Sequence, residues 1–182
     1  MNTVMKEDLL DILSQPVSWK KLAGKTVLIT GASGMIGSYM VNTLLMLNDT
    51  YDLKIRVLCM VRDERKLAPD VRNREDVSVL IHDVVCPVCI EEDVHYVIHA
   101  ASPASPLIMQ NNPVETIAAN TLGTFYTLSL AQEKKAEGYL FISSREIYGQ
   151  PYEGQEFFRE NTYGFVDQLN PRSCYSEGKK AA

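Results

Sequence analysis

The 182-residue chain lacks the features that mark several large classes of protein. Its net charge is -5, its pI is about 5.2 and it has no basic stripe, so nucleic-acid binding has little electrostatic support. Its longest uncharged stretch, 97–114, is broken by Pro103, Pro106 and Pro113, which argues against a membrane span. No basic flank leads into an apolar run at the N-terminus, so we expect no signal peptide and a cytoplasmic setting.

Cysteine is scarce, with four residues in the chain. Cys59 lies in an apolar, strand-like run, which predicts a position in the core. Cys86 and Cys89 form a C-x-x-C pair, but no second pair or histidine follows at zinc spacing, and the pair does not open a helix as a redox motif would. We therefore predict no metal site and interpret the pair as incidental loop thiols, with a metal or redox role as the alternative.

The most informative feature present is the segment VLITGASGMIGS, in which a short apolar run leads into three spaced glycines. The pattern predicts a strand, a tight turn and a helix that begins at Met35. Gly31 allows the turn, Gly34 lets backbone N–H groups approach phosphate oxygens, and Gly37 lets the helix pack closely on the sheet. Free N–H groups and the positive end of the helix dipole then face an anion. A dinucleotide site is predicted, with a plain tight turn as the alternative.

Short apolar segments alternate with helical patterns along the chain. The predicted strands cover 25–30, 55–61, 77–82, 94–100 and 139–143. The predicted helices cover 3–15, 35–47 and 113–134, and a further helix begins near Tyr175. This alternation predicts an α/β fold with a doubly wound, Rossmann-like parallel sheet that helices cover on both faces.

Several polar or small residues lie where predicted strands end. Thr30, Asp83, Ala100 and Ser144 lie at or just beyond those ends, where open α/β sheets bind ligands. Tyr175 and Lys179, four residues apart, would share one face of the last helix. A phenol is a poor base at neutral pH, and a neighbouring ammonium favours its ionised form. The spacing is therefore compatible with a tyrosine base assisted by a lysine, with an ordinary surface helix as the alternative.

Five motifs together resemble the extended short-chain dehydrogenase/reductase family. They are, in order, TGASGMIG, HAASPASP, NTLGT, FISSREIYG and NPRSCYSEGK. Their order and spacing resemble the NAD-dependent sugar-nucleotide epimerases and dehydratases. HAASPASP and NPRSCYSEGK are most similar to the UDP-glucuronate decarboxylase branch, with nucleotide-sugar 4,6-dehydratases next. The resemblance covers about residues 24–182 and implies a nucleotide-sugar substrate and NAD as the cofactor.

The resemblance also implies roles for individual residues. The implied cofactor-binding residues are Gly31, Gly34, Met35, Ile36, Gly37, Asp83, Val84, Ala100, Ala101, Ser102, Tyr175 and Lys179. The implied catalytic residues are Tyr175 as the base, Lys179 as its partner and ligand of the nicotinamide ribose, Ser144 on the sugar hydroxyl, and Glu146. Asn120 matches a structural asparagine. Asp83 matches an acid near the adenine, with a strand-end turn residue as the alternative.

Two departures from the family pattern change these expectations. Dehydratases carry Asp-Glu where this chain has Arg145 and Glu146, and an arginine cannot protonate a leaving hydroxyl at neutral pH, which argues against 4,6-dehydration. Glu146 is left as an acid or base, with a salt bridge to Arg145 or an ordinary loop charge as the alternatives. At the end of the second strand, Arg62 could meet a 2′-phosphate while Asp63 could bind the ribose of NAD. NADP therefore stays open as the second cofactor.

The implied mechanism is oxidation of the sugar to a 4-keto intermediate, followed by epimerisation, dehydration or decarboxylation. We expect a helical N-terminal extension over 1–23, packed on the domain or on a partner, and an NAD(P)-binding Rossmann domain over 24–182. Because family members continue with a substrate lobe, we expect this chain to be an incomplete, inactive portion truncated within the catalytic helix. A homodimer is expected at full length, through 113–134 and the helix of Tyr175, although that apolar face could equally be core. The alternatives are an NADP-dependent reductase and a non-catalytic dinucleotide-binding module.

Overall fold

The computed structural model describes residues 3–182, which form a five-stranded parallel sheet with helices on both faces. The strands are β1 (Thr26–Thr30), β2 (Arg56–Val61), β3 (Val77–Ile81), β4 (Tyr96–His99) and β5 (Gly138–Phe141). The helices are α1 (Thr3–Ser14), α2 (Met35–Tyr51), α3 (Pro69–Arg72), α4 (Pro106–Asn111), α5 (Pro113–Glu133) and α6 (Ser173–Ala181). The predicted doubly wound α/β fold is confirmed. Residues 1 and 2 of the predicted extension lie outside the described residues.

The apolar runs of the central strands divide between two layers of core. Along β1, Val27 and Ile29 pack in one cluster with residues of α2, while Leu28 packs in the other with Leu130 of α5. β2 alternates in the same way, because successive side chains of a strand point to opposite faces of the sheet. Burial on both faces explains why these strands are continuously apolar rather than alternating.

The N-terminal helix packs on the domain. Leu9 is fully buried and Leu13 nearly so, and α1 contacts α2, where Tyr39 donates a hydrogen bond of 2.7 Å to Asp8. Trp19 is partly buried against the same core cluster as Leu13. Of the two placements expected for this lead-in, the structure therefore supports packing on the domain.

Several predicted element bounds differ from the structure. The predicted strands 94–100 and 139–143 were too long at their C-terminal ends, since β4 ends at His99 and β5 at Phe141. α2 continues to Tyr51 rather than 47, and it ends where Asp52 adopts a left-handed φ of 52°. α6 begins at Ser173, two residues before Tyr175. Within the charged segment 62–76 the chain forms a short 3₁₀ turn and α3.

The outer face of α5 is not core within the described residues. Its exposed apolar side chains are Val114, Ile117, Leu122, Phe125 and Leu128. Both expectations for this face at full length, a dimer surface and core, therefore stay predictions. Among those residues, no helix combines the length and the apolar character needed to cross a membrane.

The sheet order β3-β2-β1-β4-β5 determines where a ligand can bind. From β1 the chain builds outward through β2 and β3, then returns to add β4 and β5 on the other side. The order therefore reverses between β1 and β4, and a crevice opens outside the carboxyl ends of these two strands. The segments that follow β1 and β4 carry the motifs TGASGMIG and HAASPASP.

Candidate dinucleotide site and catalytic cluster

The turn after β1 makes its closest approaches at Gly31 and Gly37. Gly31 has a φ of +66°, a conformation that favours glycine, and a Cβ there would lie 2.8 Å from the Cα of Ala101. A Cβ on Gly37 would overlap the carbonyl oxygen of Gly31 and lie 3.0 Å from the Cα of Ala32. The close packing at Gly37 is therefore against the turn itself, rather than against the sheet as the sequence suggested.

The first turn of α2 presents backbone N–H groups at this edge. The first bond of the helix runs from the Ser38 N–H to the Gly34 carbonyl at 2.8 Å, so the N–H groups of Met35, Ile36 and Gly37 have no acceptor within the helix. The Gly34 N–H donates to the Gly31 carbonyl at 2.9 Å and so holds the turn. Free N–H groups at the positive end of a helix dipole fit the pyrophosphate of a dinucleotide.

A cleft of about 560 Å³ opens beside the turn, across the carboxyl ends of β1, β2 and β4. The predicted cofactor residues that line it are Gly31, Gly34, Arg62, Asp83, Val84, Ala100, Ala101 and Ser102. We call the space lined by these residues, together with Asp63 and Glu115, the glycine cleft. Tyr175 and Lys179 do not line it. The structure therefore brings most of the predicted cofactor residues together and places the tyrosine and lysine in a separate cluster.

Charged side chains gather at the β2 side of the glycine cleft. The guanidinium of Arg62 lies 2.7 Å from the carboxylate of Glu115 and 4.0 Å from that of Asp83. Asp63 accepts hydrogen bonds from Arg65 through both carboxylate oxygens, and these bonds lower the pKa of Asp63 to about 2. Arg62 and Asp63, the two residues considered for the ribose or its phosphate, are thus both already paired.

Asp83 lies both at the glycine cleft and in the turn that follows β3. It lines the glycine cleft, and its Oδ1 accepts a hydrogen bond of 3.2 Å from the backbone N–H of Val85. Its position supports both interpretations from the sequence, a turn residue at the end of a strand and an acid beside the cofactor.

A buried hydrogen-bond network joins the ends of β1 and β4. The hydroxyl oxygen of Thr30 accepts from the N–H groups of Ala100 and Ala101 at 3.2 and 3.1 Å, and it lies 2.7 Å from Nδ1 of His99. Since two donors occupy its lone pairs, the hydroxyl donates to Nδ1, and we assign the imidazole proton to Nε2. Burial, and then the charge of Lys179, lower the pKa of His99 to about 4, so the ring is neutral at pH 7.

Tyr175 and Lys179 lie close together at the end of β5. The Lys179 side chain is buried, and its Nζ donates a hydrogen bond of 2.6 Å to the carbonyl of Ile142. The same nitrogen lies 4.4 Å from the ring centroid of Phe141 and 5.9 Å from that of Tyr175. We call these four residues the α6 cluster. Burial lowers the pKa of Lys179 to about 8, which leaves the side chain mostly cationic at pH 7.

Ser144 and Glu146 lie on the 3₁₀ turn that follows β5. The Ser144 hydroxyl accepts a hydrogen bond of 3.2 Å from the Glu146 backbone N–H, so its own proton stays available for another acceptor. The Glu146 carboxylate accepts a hydrogen bond of 2.6 Å from the guanidinium of Arg172. Of the two expected alternatives, the salt bridge between Glu146 and Arg145 is therefore wrong, because the partner is Arg172, just before α6.

Sequence reasoning missed Arg172 and Glu115. Arg172 lies inside the motif NPRSCYSEGK, three residues before Tyr175, and this position was the only indication of its role. No local sequence pattern pointed to Glu115, because it lies 53 residues from Arg62 and meets it only in the folded chain.

The cysteines differ in burial. Cys59 is buried as predicted, and burial raises the pKa of its thiol to about 12. Cys86 and Cys89 are exposed in the loop after β3. Across residues 3–182, no group of three or more histidine, cysteine, aspartate or glutamate side chains is arranged to hold a metal ion.

Curated relatives of this chain include UDP-glucuronic acid decarboxylases. UDP-glucuronic acid decarboxylase 1 of Danio rerio is 36% identical over 158 residues, which cover 87% of this chain and 36% of that protein. UDP-glucuronic acid decarboxylase 2 of Arabidopsis thaliana is 35% identical over 162 residues, covering 89% and 35%. The chain thus spans about a third of the length of these relatives.

Solved structures with the same fold include enzymes of nucleotide sugars. A UDP-galactose 4-epimerase aligns with a TM-score of 0.65 at 20% identity, covering 86% of this chain and 48% of the other. A dTDP-glucose 4,6-dehydratase of Bacillus anthracis, in complex with NAD, aligns with a TM-score of 0.64 at 17% identity, covering 86% and 47%. The model of the NAD dependent epimerase/dehydratase family matches residues 27–182. The chain therefore belongs to the NAD-dependent epimerase/dehydratase family, whose cofactor is NAD.

Proposed function

We propose that this chain is the NAD-binding part of an enzyme that oxidises a nucleotide sugar, with decarboxylation of UDP-glucuronic acid as the favoured reaction. The observation that carries the proposal is the α6 cluster, in which the buried cation of Lys179 lies beside the ring of Tyr175. A module that only binds a dinucleotide has no need of this pair. The 36% identity to a UDP-glucuronic acid decarboxylase supports the substrate class.

In the proposed reaction Tyr175, Lys179 and Ser144 each have a separate task. Tyr175 takes the proton from a sugar hydroxyl, and the ammonium of Lys179 stabilises the resulting phenolate and binds the nicotinamide ribose. The Ser144 hydroxyl donates a hydrogen bond to the sugar oxygen and so orients the sugar. NAD, when bound, accepts the hydride from the sugar carbon and can return it.

Decarboxylation follows from the chemistry of the oxidised sugar. A ketone at the 4-position of a glucuronate is β to the carboxylate, and a β-keto acid loses carbon dioxide readily. Arg145 in place of the aspartate of dehydratases argues against loss of water. Glu146, held by Arg172, is positioned as an acid or base only if that pair opens, so we assign the first proton transfer to Tyr175.

We also propose a division into a helical extension over 1–23 and a dinucleotide-binding domain over 24–182. The exposed apolar face of α5 supports a homodimer, and we retain a cytoplasmic location from the sequence. Because the chain spans about a third of its decarboxylase relatives, we propose that it has little turnover alone. An NADP-dependent reductase is less well supported, because the guanidinium that would bind the 2′-phosphate is paired with Glu115.

The test compares NAD binding with turnover in a Tyr175→Phe variant of the protein at its full natural length. We expect turnover of UDP-glucuronic acid to fall by about 10³-fold or more, with NAD affinity within a few-fold of the parent, because the variant loses only the proton-accepting hydroxyl. Ser143→Ala, which removes an exposed hydroxyl one residue before Ser144, is the matched control and should keep activity. Unchanged turnover in Tyr175→Phe would overturn the proposal.

A further inference from the structure

An ion pair links the end of β2 to the start of α5 at the glycine cleft. The guanidinium of Arg62 lies 2.7 Å from the carboxylate of Glu115, and the carboxylate of Asp83 is 4.0 Å away on the same guanidinium nitrogen. All three residues line the cleft. Each side chain is between about four and six tenths exposed, so a ligand in the cleft can reach the group.

The end of the second strand is where dinucleotide-binding folds distinguish NAD from NADP. An acid there binds the ribose 2′-hydroxyl of NAD, whereas an arginine nearby accommodates the 2′-phosphate of NADP. Arg62 is the arginine at that position, which taken alone favours NADP. Its guanidinium is held by Glu115, however, and the neighbouring Asp63 is engaged by Arg65.

The three charges sum to a net charge of -1, from two carboxylates and one guanidinium. A 2′-phosphate would carry up to two further negative charges into this group and would compete with both carboxylates for Arg62. A 2′-hydroxyl brings no charge and can donate a hydrogen bond to a carboxylate. We infer that Glu115 is a specificity-determining residue, which makes the cleft accept NAD and reject NADP by occupying Arg62. This inference rests on the proposed binding of the dinucleotide in the glycine cleft.

A purely structural role for Glu115 makes a different prediction. Glu115 lies in the first turn of α5, where the negative charge of a carboxylate interacts favourably with the positive end of the helix dipole. Loss of that effect would lower the stability of the fold and weaken the binding of both cofactors together. A change in the ratio of the two dissociation constants is therefore the informative measurement.

The experiment is calorimetric titration of the 182-residue chain with NAD+ and NADP+ at low salt. For Glu115→Gln we expect NADP+ to bind about tenfold more tightly than to the parent, because one opposing charge is removed and Arg62 is released, while NAD+ changes by about twofold or less. Glu115→Asp, which keeps the charge, should retain preference for NAD+. Glu133→Gln removes the same charge from the far end of α5 and should leave both affinities unchanged.

A second background tests whether Glu115 acts through Arg62. In Arg62→Ala the Glu115→Gln change should lose most of its effect on NADP+, since no guanidinium is left to release. The gain should also shrink at high salt, because exposed charges are screened. An unchanged NADP+/NAD+ ratio in Glu115→Gln would overturn the inference while leaving the proposed function intact. Failure of the parent to bind either dinucleotide would overturn both.

Discussion

The glycine cleft and the α6 cluster lie on the same edge of one sheet, but different parts of the chain form their key contacts. The cleft depends on backbone, namely the positive φ of Gly31 and the N–H groups that open α2. The cluster depends on side chains, above all the buried ammonium of Lys179. The strands beneath them differ too, because β1 and β2 are buried at every position after the first, whereas Leu140 of β5 is 49% exposed.

The difference shows what each region requires. The turn of the glycine cleft does not tolerate an added Cβ at its tightest point, at Gly31. The α6 cluster requires the burial and charge of Lys179 and the Ile142 carbonyl that accepts its hydrogen bond. Variants that change one requirement at a time therefore separate the two regions.

The largest effect is expected from Gly31→Ala. The variant forces a left-handed φ on a residue with a Cβ and brings that Cβ to within 2.8 Å of Ala101, so we expect a loss of about 4 kcal/mol of unfolding free energy. Chemical denaturation measures this loss. Gly24→Ala is the matched control, because Gly24 has a φ of +70° with nothing within 4 Å of the added Cβ.

The control separates the effect of the close contact with Ala101 from the effect of the left-handed φ. Gly24→Ala should lose about 1–2 kcal/mol, from the left-handed φ alone. Equal losses in the two variants would mean that the close approach to Ala101 contributes nothing, and the view of the cleft as a tightly packed backbone site would fail.

An intermediate effect is expected from His99, which joins the two regions through Thr30 and Lys179. Its pKa in the folded state, about 4, lies below the ordinary value of 6.5, so the unfolded chain binds more protons between these pH values. Stability should therefore fall as the pH drops from 6.5 to 4, and His99 should account for about 3 kcal/mol of that fall. The measurement is unfolding free energy against pH for the parent and His99→Gln.

Lys179→Met tests how much the Lys179 charge contributes to the lowered pKa of His99. Removing the cation should raise the pKa of His99, because the Lys179 charge contributes to its lowering, and the window of acid destabilisation should become narrower. If the parent and His99→Gln lose the same stability between pH 6.5 and 4, the lowered pKa of His99 is not the cause of the acid destabilisation.

The sequence predicted the turn at Gly31 better than the side-chain pairs of either region, for a physical reason. The strand, turn and helix around Gly31 are local, so a run of a dozen residues contains their whole pattern. The pairing of Glu146 with Arg172 and of Arg62 with Glu115 spans 26 and 53 residues, and no local pattern encodes it. The motifs named Tyr175 and Lys179 through family resemblance, but not the Ile142 carbonyl that receives the ammonium.

The ends of strands also depend on pairing that the local sequence does not encode. The apolar run 94–100 suggested a longer strand than Tyr96–His99, because apolarity reflects burial whereas a strand ends where its neighbours stop pairing. β4 pairs with β1 only as far as Thr30 opposite His99, after which the chain turns toward Thr30 through Ala100 and Ala101. That turn is what forms one wall of the glycine cleft.

The smallest effect is expected from the Glu146–Arg172 pair, which ties the turn after β5 to the start of α6. Its side chains are only 23% and 37% exposed, so a double-mutant cycle of Glu146→Gln and Arg172→Gln should give a coupling free energy of about 0.5–1 kcal/mol. The matched cycle uses Asp52→Asn and Lys54→Gln, a pair at 2.7 Å whose side chains are 78% and 75% exposed, and it should give a coupling near zero. Equal couplings in the two cycles would show that burial does not strengthen the ion pair beside the α6 cluster, and the contrast between a backbone site and a charge-dependent site would then rest on Lys179 alone.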